Sequence, residues 1–372
     1  MTEANGFRAL NTYRFAVIGS GRLGSALQAA LSRAGLTVVS VGVHAPASVD
    51  RSAAPPHLPL ADAVLAAVAS GEAGAPGTPT ASGAAGAARD TGAAGTPGAA
   101  GVIWLTVPDD ALRVVAREVA EVLRGARHPD VECFVVHSSG LGALSLLAPV
   151  QSPGVHTLSL HPLQTFASVG PASGAAGPAS GADVLSGVPF AVTAGDAQAA
   201  AFGRALVERL GGVPFDLPDT AKPLYHLAAA VASNLLVALE SQAAELMNQA
   251  VGAGAATSAT QAAVDPQGLA LLGPLVRTTL ANLLRLGPER ALTGPVARGD
   301  VSTVRAHLAL LAGFPPRFAA AYRALSLQAL TLAAPRLDDE NVRALQELLE
   351  PPTRLQPRGV AAARAPERKA ST

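Results

Sequence analysis

The segment FAVIGSGRLGSALQAALSRAG, residues 15–35, constrains the fold more than any other stretch of this chain. A short apolar run meets a turn with glycines at 19, 21 and 24, and an alanine- and leucine-rich helical pattern follows. The spacing is G-x-G-x-x-G in a strand–turn–helix setting. Gly19 permits the tight turn, Gly21 lets the backbone approach a pyrophosphate, and Gly24 lets the helix pack closely on the strand. The helix N-terminus adds unpaired N–H groups and partial positive charge, which suit phosphates. Ser20, Arg22 and Leu23 therefore join the three glycines as candidate cofactor-binding residues. In a chain with 37 glycines, a turn kept only for packing is the alternative.

A site for NAD usually places Asp or Glu about 20 residues further on, bonded to the adenine ribose. Here the chain reads TVVSVGVHAPASVDR, with no acid before Asp50. His44, Arg51 and Arg22 suit a 2′-phosphate instead, so NADP(H) is the preferred cofactor and NAD(H) the alternative. An ordinary solvated loop would explain His44 and Arg51 equally simply.

Before about residue 220, short apolar strands alternate with helical patterns: strands at 15–19, 37–43, 101–107, 132–138, 156–162, 188–194 and 213–218. That alternation predicts an α/β, Rossmann-type doubly wound parallel sheet covered on both faces. After Lys222 the strand signal stops, and apolar helical stretches at 222–251, 266–287, 300–313 and 315–334 predict an all-α C-terminal domain. Residues 70–101 and 168–182 consist almost wholly of Gly, Ala, Pro, Ser and Thr, and read as mobile surface insertions. The expected organisation is a tail over 1–13, a Rossmann domain over 14–220 with those two insertions, and a helical substrate and dimerisation domain over 221–335. A partly disordered segment is expected over 336–372.

Composition narrows the function. Lys plus Arg (27) cancels Asp plus Glu (27), and aromatic residues are only 3% of the chain, which disfavours nucleic acid as a partner. The single cysteine, Cys133, sits in the apolar run CFVV and reads as a buried strand residue that cannot by itself build a zinc site; no metal is expected. The N-terminus lacks a signal-peptide core, and no uninterrupted apolar run of eighteen or more residues suggests a membrane span. A soluble cytoplasmic protein is expected.

The segments LTVPDDAL (105–112), HSSG (137–140), SLHPLQTF (159–166), YHLAAAVASNLLVAL (225–239) and LTGPVARGDVSTVRAHL (292–308) carry a resemblance. Together they resemble a bacterial family of Rossmann-like proteins with a C-terminal domain of unknown function, related to the beta-hydroxyacid dehydrogenases, ketopantoate reductase and pyrroline-carboxylate reductase. The resemblance implies an NAD(P)-dependent oxidoreductase with an eight-strand-type Rossmann domain. It also implies a helical domain of the 6-phosphogluconate dehydrogenase C-terminal kind, and pairing of two copies through it. It implies no substrate.

Ligands of open parallel sheets lie beyond the carboxyl ends of the strands. Thr106, Val107, Pro108 and Asp109 end the third apolar strand, and in the related dehydrogenases that loop runs along the cofactor. Asp109 also suits a helix N-cap. His137, Ser138, Ser139 and Gly140 end the next strand, with Ser138 a candidate for the nicotinamide end and an ordinary serine turn the alternative. His161, with Gln164 beside it, can aim an imidazole at a cleft for general acid work, or simply bond a backbone carbonyl. On a regular helix, at about 100° per residue, His226 and Ser233 share a face and Asn234 borders it. The related dehydrogenases carry a proton-donating Lys four residues before an Asn. If Asn234 matches that Asn, the lysine position is Ala230, which leaves His226 or no residue to move the proton. Arg298 suits a substrate carboxylate, and Asp300 suits the N-cap of the following helix.

The resulting expectation is an NAD(P)H-dependent reductase of a small carbonyl or imine substrate bearing a carboxylate. His226, Asn234 and His161 are its catalytic candidates; Gln164, Ser233 and Arg298 are its substrate-binding candidates. A catalytically silent NAD(P)-binding sensor or scaffold is the alternative.

Overall fold

A computed structural model describes residues 7–42, 59–68, 100–126, 132–166, 184–252 and 266–350. The chain divides between Leu235 and Leu236 into two compact units. Most of both expected insertions, the loop holding His44 and Arg51, and the residues after 350 lie outside the described residues.

The first unit is built on a seven-stranded sheet. Its strands are β1 (Tyr13–Ile18), β2 (Thr37–Gly42), β3 (Ala100–Leu105), β4 (Cys133–His137), β5 (Val155–Pro162), β6 (Pro189–Ala194) and β7 (Val213–Asp216), in the order β2-β1-β3-β4-β5-β6-β7. All seven expected strands are present, and β3 claims Ala100 and Gly101 from the end of the expected first insertion. Seven strands, not the eight the resemblance implies, form the sheet among the described residues.

One pairing departs from the expected parallel sheet. β5 and β6 are antiparallel, while the other pairs run parallel. Parallel neighbours need a crossover, usually a helix, whereas antiparallel neighbours can be joined at one end. The chain between Pro162 and Pro189 carries no amphipathic helical pattern, and the Leu163 amide donates to the Pro189 carbonyl at 2.8 Å where the two strand ends meet.

Helices α1 (Arg22–Arg33) and α4 (Ala197–Arg209) cover one face of the sheet; α2 (Leu60–Val68) and α3 (Asp109–Ala126) cover the other. Residue alternation along the strands supplies both cores. Phe15, Val17, Trp104, Phe134 and Val136 pack on one side, and Ala16, Ile18, Ile103, Cys133 and Val135 on the other. Phe134 stacks on Phe202 with centroids 3.8 Å apart, closing the first core. Helix α3 buries Leu112, Val115, Ala116, Val119, Ala120 and Leu123, the three- and four-residue recurrence of an amphipathic helix. Asp196 caps α4 by accepting from the Ala199 amide at 2.8 Å. The unit ends with a 3-10 turn at Asp219–Ala221, α5 (Lys222–Ala230) and a π-helical turn at Val231–Leu235.

The second unit is helical throughout: α6 (Leu236–Ala250), α7 (Pro266–Leu286), α8 (Pro288–Ala291), α9 (Val301–Leu311), α10 (Pro316–Ala333) and α11 (Asp339–Leu349). Its core gathers Val296, Val304, Leu330, Leu345 and Leu349. Asp300 is the N-cap of α9, accepting from the Thr303 hydroxyl at 2.6 Å and the Thr303 amide at 3.0 Å, and those bonds hold its carboxyl down at about 2. Residues 336–350, the first part of the C-terminal segment expected to be partly disordered, contain α11, which contributes Leu345 and Leu349 to that core.

Two helical stretches, 219–250 and 266–286, are long and apolar enough to cross a bilayer by length and composition, with windows of mean hydropathy 1.3 and 1.2. Neither is an uninterrupted apolar run: Glu240 and Glu245 interrupt the first, and Pro274 and Arg277 the second.

Candidate functional site

The site grows from the place where strand order reverses, between β1 and β3. Gly19 leaves β1 at φ +120°, a conformation that favours glycine. A Cβ there would stand 2.6 Å from the Thr106 hydroxyl oxygen and 2.7 Å from its carbonyl oxygen. A Cβ on Gly24 would lie 1.9 Å from the Gly19 carbonyl oxygen. Gly21 is the opposite case: a Cβ would meet nothing within 4 Å, and no side chain caps the start of α1. The turn is therefore packed tight at its first and third glycines and open at its second. Ser20, Gly21 and Arg22 are exposed around that opening, with Leu23 half-buried behind them.

Thr106 braces the turn. Its amide donates to the Ile18 carbonyl at 2.8 Å, and its hydroxyl reaches the Ile18 and Gly19 carbonyls at 3.1 and 2.9 Å. Val107 and Pro108 continue to Asp109, the first residue of α3. Asp109 makes no N-cap bond. Its carboxylate accepts from the Ser139 hydroxyl at 2.6 Å, and that hydroxyl oxygen in turn accepts from the Gly142 amide at 2.7 Å.

The β4 end is more buried than the pattern suggested. Ser138 is 8% exposed and its hydroxyl accepts from the Trp104 indole at 2.8 Å, which commits it to the core. His137 is fully buried; its Nδ1 accepts from the Ser139 amide at 3.1 Å, and its Nε2 has no hydrogen-bond partner. Burial, reinforced by Lys222 and His161, pushes its pKa down to about 3.

His161, at the end of β5, shares a 2.7 Å hydrogen bond between its Nδ1 and the Tyr225 hydroxyl. Burial first, then the Lys222 and His226 charges, lower its pKa to about 4, against a smaller opposing effect of Asp109. Burial raises Tyr225 to about 12, so it stays a phenol. A Cβ on Gly140 would stand 2.8 Å from His161 Nε2 and 2.9 Å from His226 Cδ2. The two imidazoles thus converge on one glycine at the carboxyl ends of β4 and β5.

Lys222, the first residue of α5, is the functional candidate that sequence reasoning missed. It is 1% exposed, and its Nζ donates to the Ser139 carbonyl at 2.9 Å and to the Ser159 hydroxyl at 2.7 Å. Burial lowers its pKa to about 8, despite the nearby Asp219 and Asp109. A signal was available: Lys222 is one of two lysines in the chain, Lys369 being the other.

The π-helical turn closes with i→i+5 bonds, so the phase that would align His226 with Ser233 and Asn234 does not carry across it. Asn234 is exposed and Ser233 half-buried, and among the described residues no hydrogen bond joins either to His226 or His161. The Gln164 side chain accepts from the adjacent Thr165 amide and is exposed. Arg298 is an exposed residue of the second unit, and His44 lies outside the described residues.

A doubly wound sheet with a glycine turn at its switch point, followed by an all-helical unit, defines the Rossmann-like class with a helical C-terminal part. Residues 188–329, from the edge of β6 into α10, match the family model described as a domain of unknown function, DUF2520. The chain has a Rossmann-like fold, and residues 188–329 are similar to that domain. Solved structures share the fold. BF3122 from Bacteroides fragilis, provisionally described as an NADP oxidoreductase, aligns with a TM-score of 0.56 at 20% identity, over 87% of this chain and 100% of its own. Protein TM1727 from Thermotoga maritima aligns with a TM-score of 0.51 at 19% identity, over 86% of this chain and 98% of its own. No curated protein sequence matches this chain.

Proposed function

We propose that this protein is an NAD(P)H-dependent oxidoreductase that reduces a small carbonyl or imine substrate bearing a carboxylate. The observation that carries the reading is the glycine turn: closed at Gly19 and Gly24 against Thr106, open at Gly21 before an uncapped helix N-terminus. That combination leaves room for a diphosphate where a side chain would otherwise sit. Gly19, Ser20, Gly21, Arg22, Leu23 and Gly24 would hold the cofactor, with the loop from Thr106 to Asp109 alongside. Arg22, with His44, supports NADP(H) over NAD(H). A reduced nicotinamide, when bound, supplies the two-electron reducing equivalent.

The chain's own residues supply the proton and the orientation. His161 is neutral at physiological pH, which leaves it a hydrogen-bond donor or acceptor and a poor proton source. His226, the exposed member of the pair, delivers the proton to the substrate oxygen or nitrogen. Tyr225 fixes the His161 ring through Nδ1, so Nε2 faces the Gly140 side where the substrate is held. Asn234, Ser233, Gln164 and Arg298 remain proposed substrate contacts, and a soluble cytoplasmic setting goes with the reading. Calorimetry on the full chain with NADPH and NADH tests it. Binding of NADPH with turnover of 2-keto acids, imines or semialdehydes is expected, and absence of heat with either nucleotide overturns it.

Ala230, four residues before Asn234 where the related dehydrogenases carry a proton-donating lysine, favours a second reading: a catalytically silent NAD(P)-binding sensor. Saturable NADPH binding without turnover of any substrate in the panel would select it.

We further propose a homodimer formed through the helical second unit. Val237, Leu271, Leu275 and Leu284 on α6 and α7 are 67%, 53%, 63% and 88% exposed, more apolar surface than a monomer readily leaves in water. Light scattering is expected to give twice the chain mass; a monomer at high concentration refutes the dimer.

A further inference from the structure

Lys222 is costly where it stands. An ammonium taken out of water requires compensation, and among the described residues no carboxylate lies within ion-pair distance of its Nζ. Both bonds it makes go to neutral acceptors, the Ser139 carbonyl and the Ser159 hydroxyl. The two nearest acids are engaged elsewhere: Asp109 by the Ser139 hydroxyl, Asp219 by the Leu144 amide at 3.0 Å. The remaining basic residues up to Lys369 are arginines and histidines. A compact ammonium that can be desolvated is what distinguishes lysine from arginine at such a position.

The surroundings show what the charge acts on. Ser139 and Ser159 belong to the β4 loop and to β5, so one ammonium ties the loop that carries Gly140 to the strand that carries His161. His137 and Ser159 are register partners on β4 and β5, which places His137, Ser159 and His161 on one face of the sheet. The ionisable groups around His161 are Lys222, Tyr225 and His226 from α5, His137 from β4 and Asp109 from α3. Those around Lys222 are Asp219, Asp109, His137 and His161.

We propose that Lys222 is a positioning residue: its ammonium clamps the Ser139 peptide against Ser159 and sets a positive charge beside His161 and His137, next to the Gly140 loop where a ligand would be held. The catalytic consequence rests on the reductase reading; the electrostatic claim holds in the protein without any ligand.

The test follows the imidazole nitrogens of the full-length protein by NMR across a pH titration, in the wild type, Lys222→Met and Lys222→Arg. In Lys222→Met the His161 midpoint rises by about one pH unit or more, because a neighbouring like charge is gone. Lys222→Arg, which keeps the charge, holds it low. A folded Lys222→Met whose His161 midpoint matches the wild type overturns the proposal. Should Lys222→Met fail to fold, the wild type alone decides. Deprotonation of Lys222 must appear as a second inflection in the His161 signals on the alkaline side, and a flat response from about pH 7 through about pH 11 overturns the proposal. Failure of NADPH to bind would remove the reductase reading and leave this titration unaffected, so the two failures are separable.

Discussion

The Thr106 hydroxyl lies 2.9 Å from the Gly19 carbonyl oxygen, pinning the glycine turn of β1 to the end of β3. This brace makes the three glycines unequal, and the inequality can be measured.

Gly24→Ala drives a methyl to 1.9 Å from the Gly19 carbonyl, so the turn must open. A loss of about 1–3 kcal/mol or more is expected from such overpacking, read by chemical denaturation. Gly21→Ala meets no atom, and Gly21 has φ −66°, so its stability stays level or rises by up to about 1 kcal/mol. Calorimetry should nonetheless show a large loss of NADPH affinity for Gly21→Ala, because its methyl occupies the opening. Equal behaviour of the two variants would contradict these separate roles.

Replacing His226 by Gln removes the proposed acid without burying a polar group. Turnover is expected to fall by about 10²-fold or more while NADPH affinity holds, since the ring is not part of the glycine turn. Steady-state kinetics beside calorimetry checks this, and an unchanged turnover refutes the role.

Acid should unfold the first unit early. His137 and His161 have folded pKa values lowered from 6.5 to about 3 and about 4. Between those values and 6.5 the unfolded chain binds more protons, so stability rises with pH and is lost as pH falls through that window. Lys222 gives the same sign at alkaline pH: from about 8 to 10.5 the unfolded lysine keeps a proton that the folded one has released, so stability rises there with pH. Denaturation midpoints of the wild type and Lys222→Met across both windows test the assignment. The alkaline rise should be absent from the variant.

Leu345→Ala tests whether α11 is integral to the second unit. Leu345 is fully buried in that core, so a cost of about 2–5 kcal/mol is expected, together with faster proteolysis of the C-terminal half. A change near zero would mean that α11 is only loosely docked.

The strands were legible because buried parallel strands are short apolar runs, such as GVIWLTV, bounded by turn residues. The direction of β6 leaves no mark in its own residues; only the missing helical pattern before it carries that information. His226 and Ser233 were placed on one face by assuming a regular helix, and the π-helical turn at Val231–Leu235 breaks the phase without a Gly or Pro to announce it. Ser138 looked like a ligand contact because a serine at a strand end says nothing about an indole from the neighbouring strand. Lys222 stands outside the Lys–Asn spacing that ends at Asn234, and the scarcity of lysine in the chain is the one mark that singles it out.

Gly140 sets a limit that composition conceals. This chain uses alanine and glycine almost interchangeably along its low-complexity stretches, yet at 140 a single methyl would press on both imidazole rings and force one of them to shift. The least adorned residue in the loop is therefore the spacer that lets both rings approach the same point of the backbone.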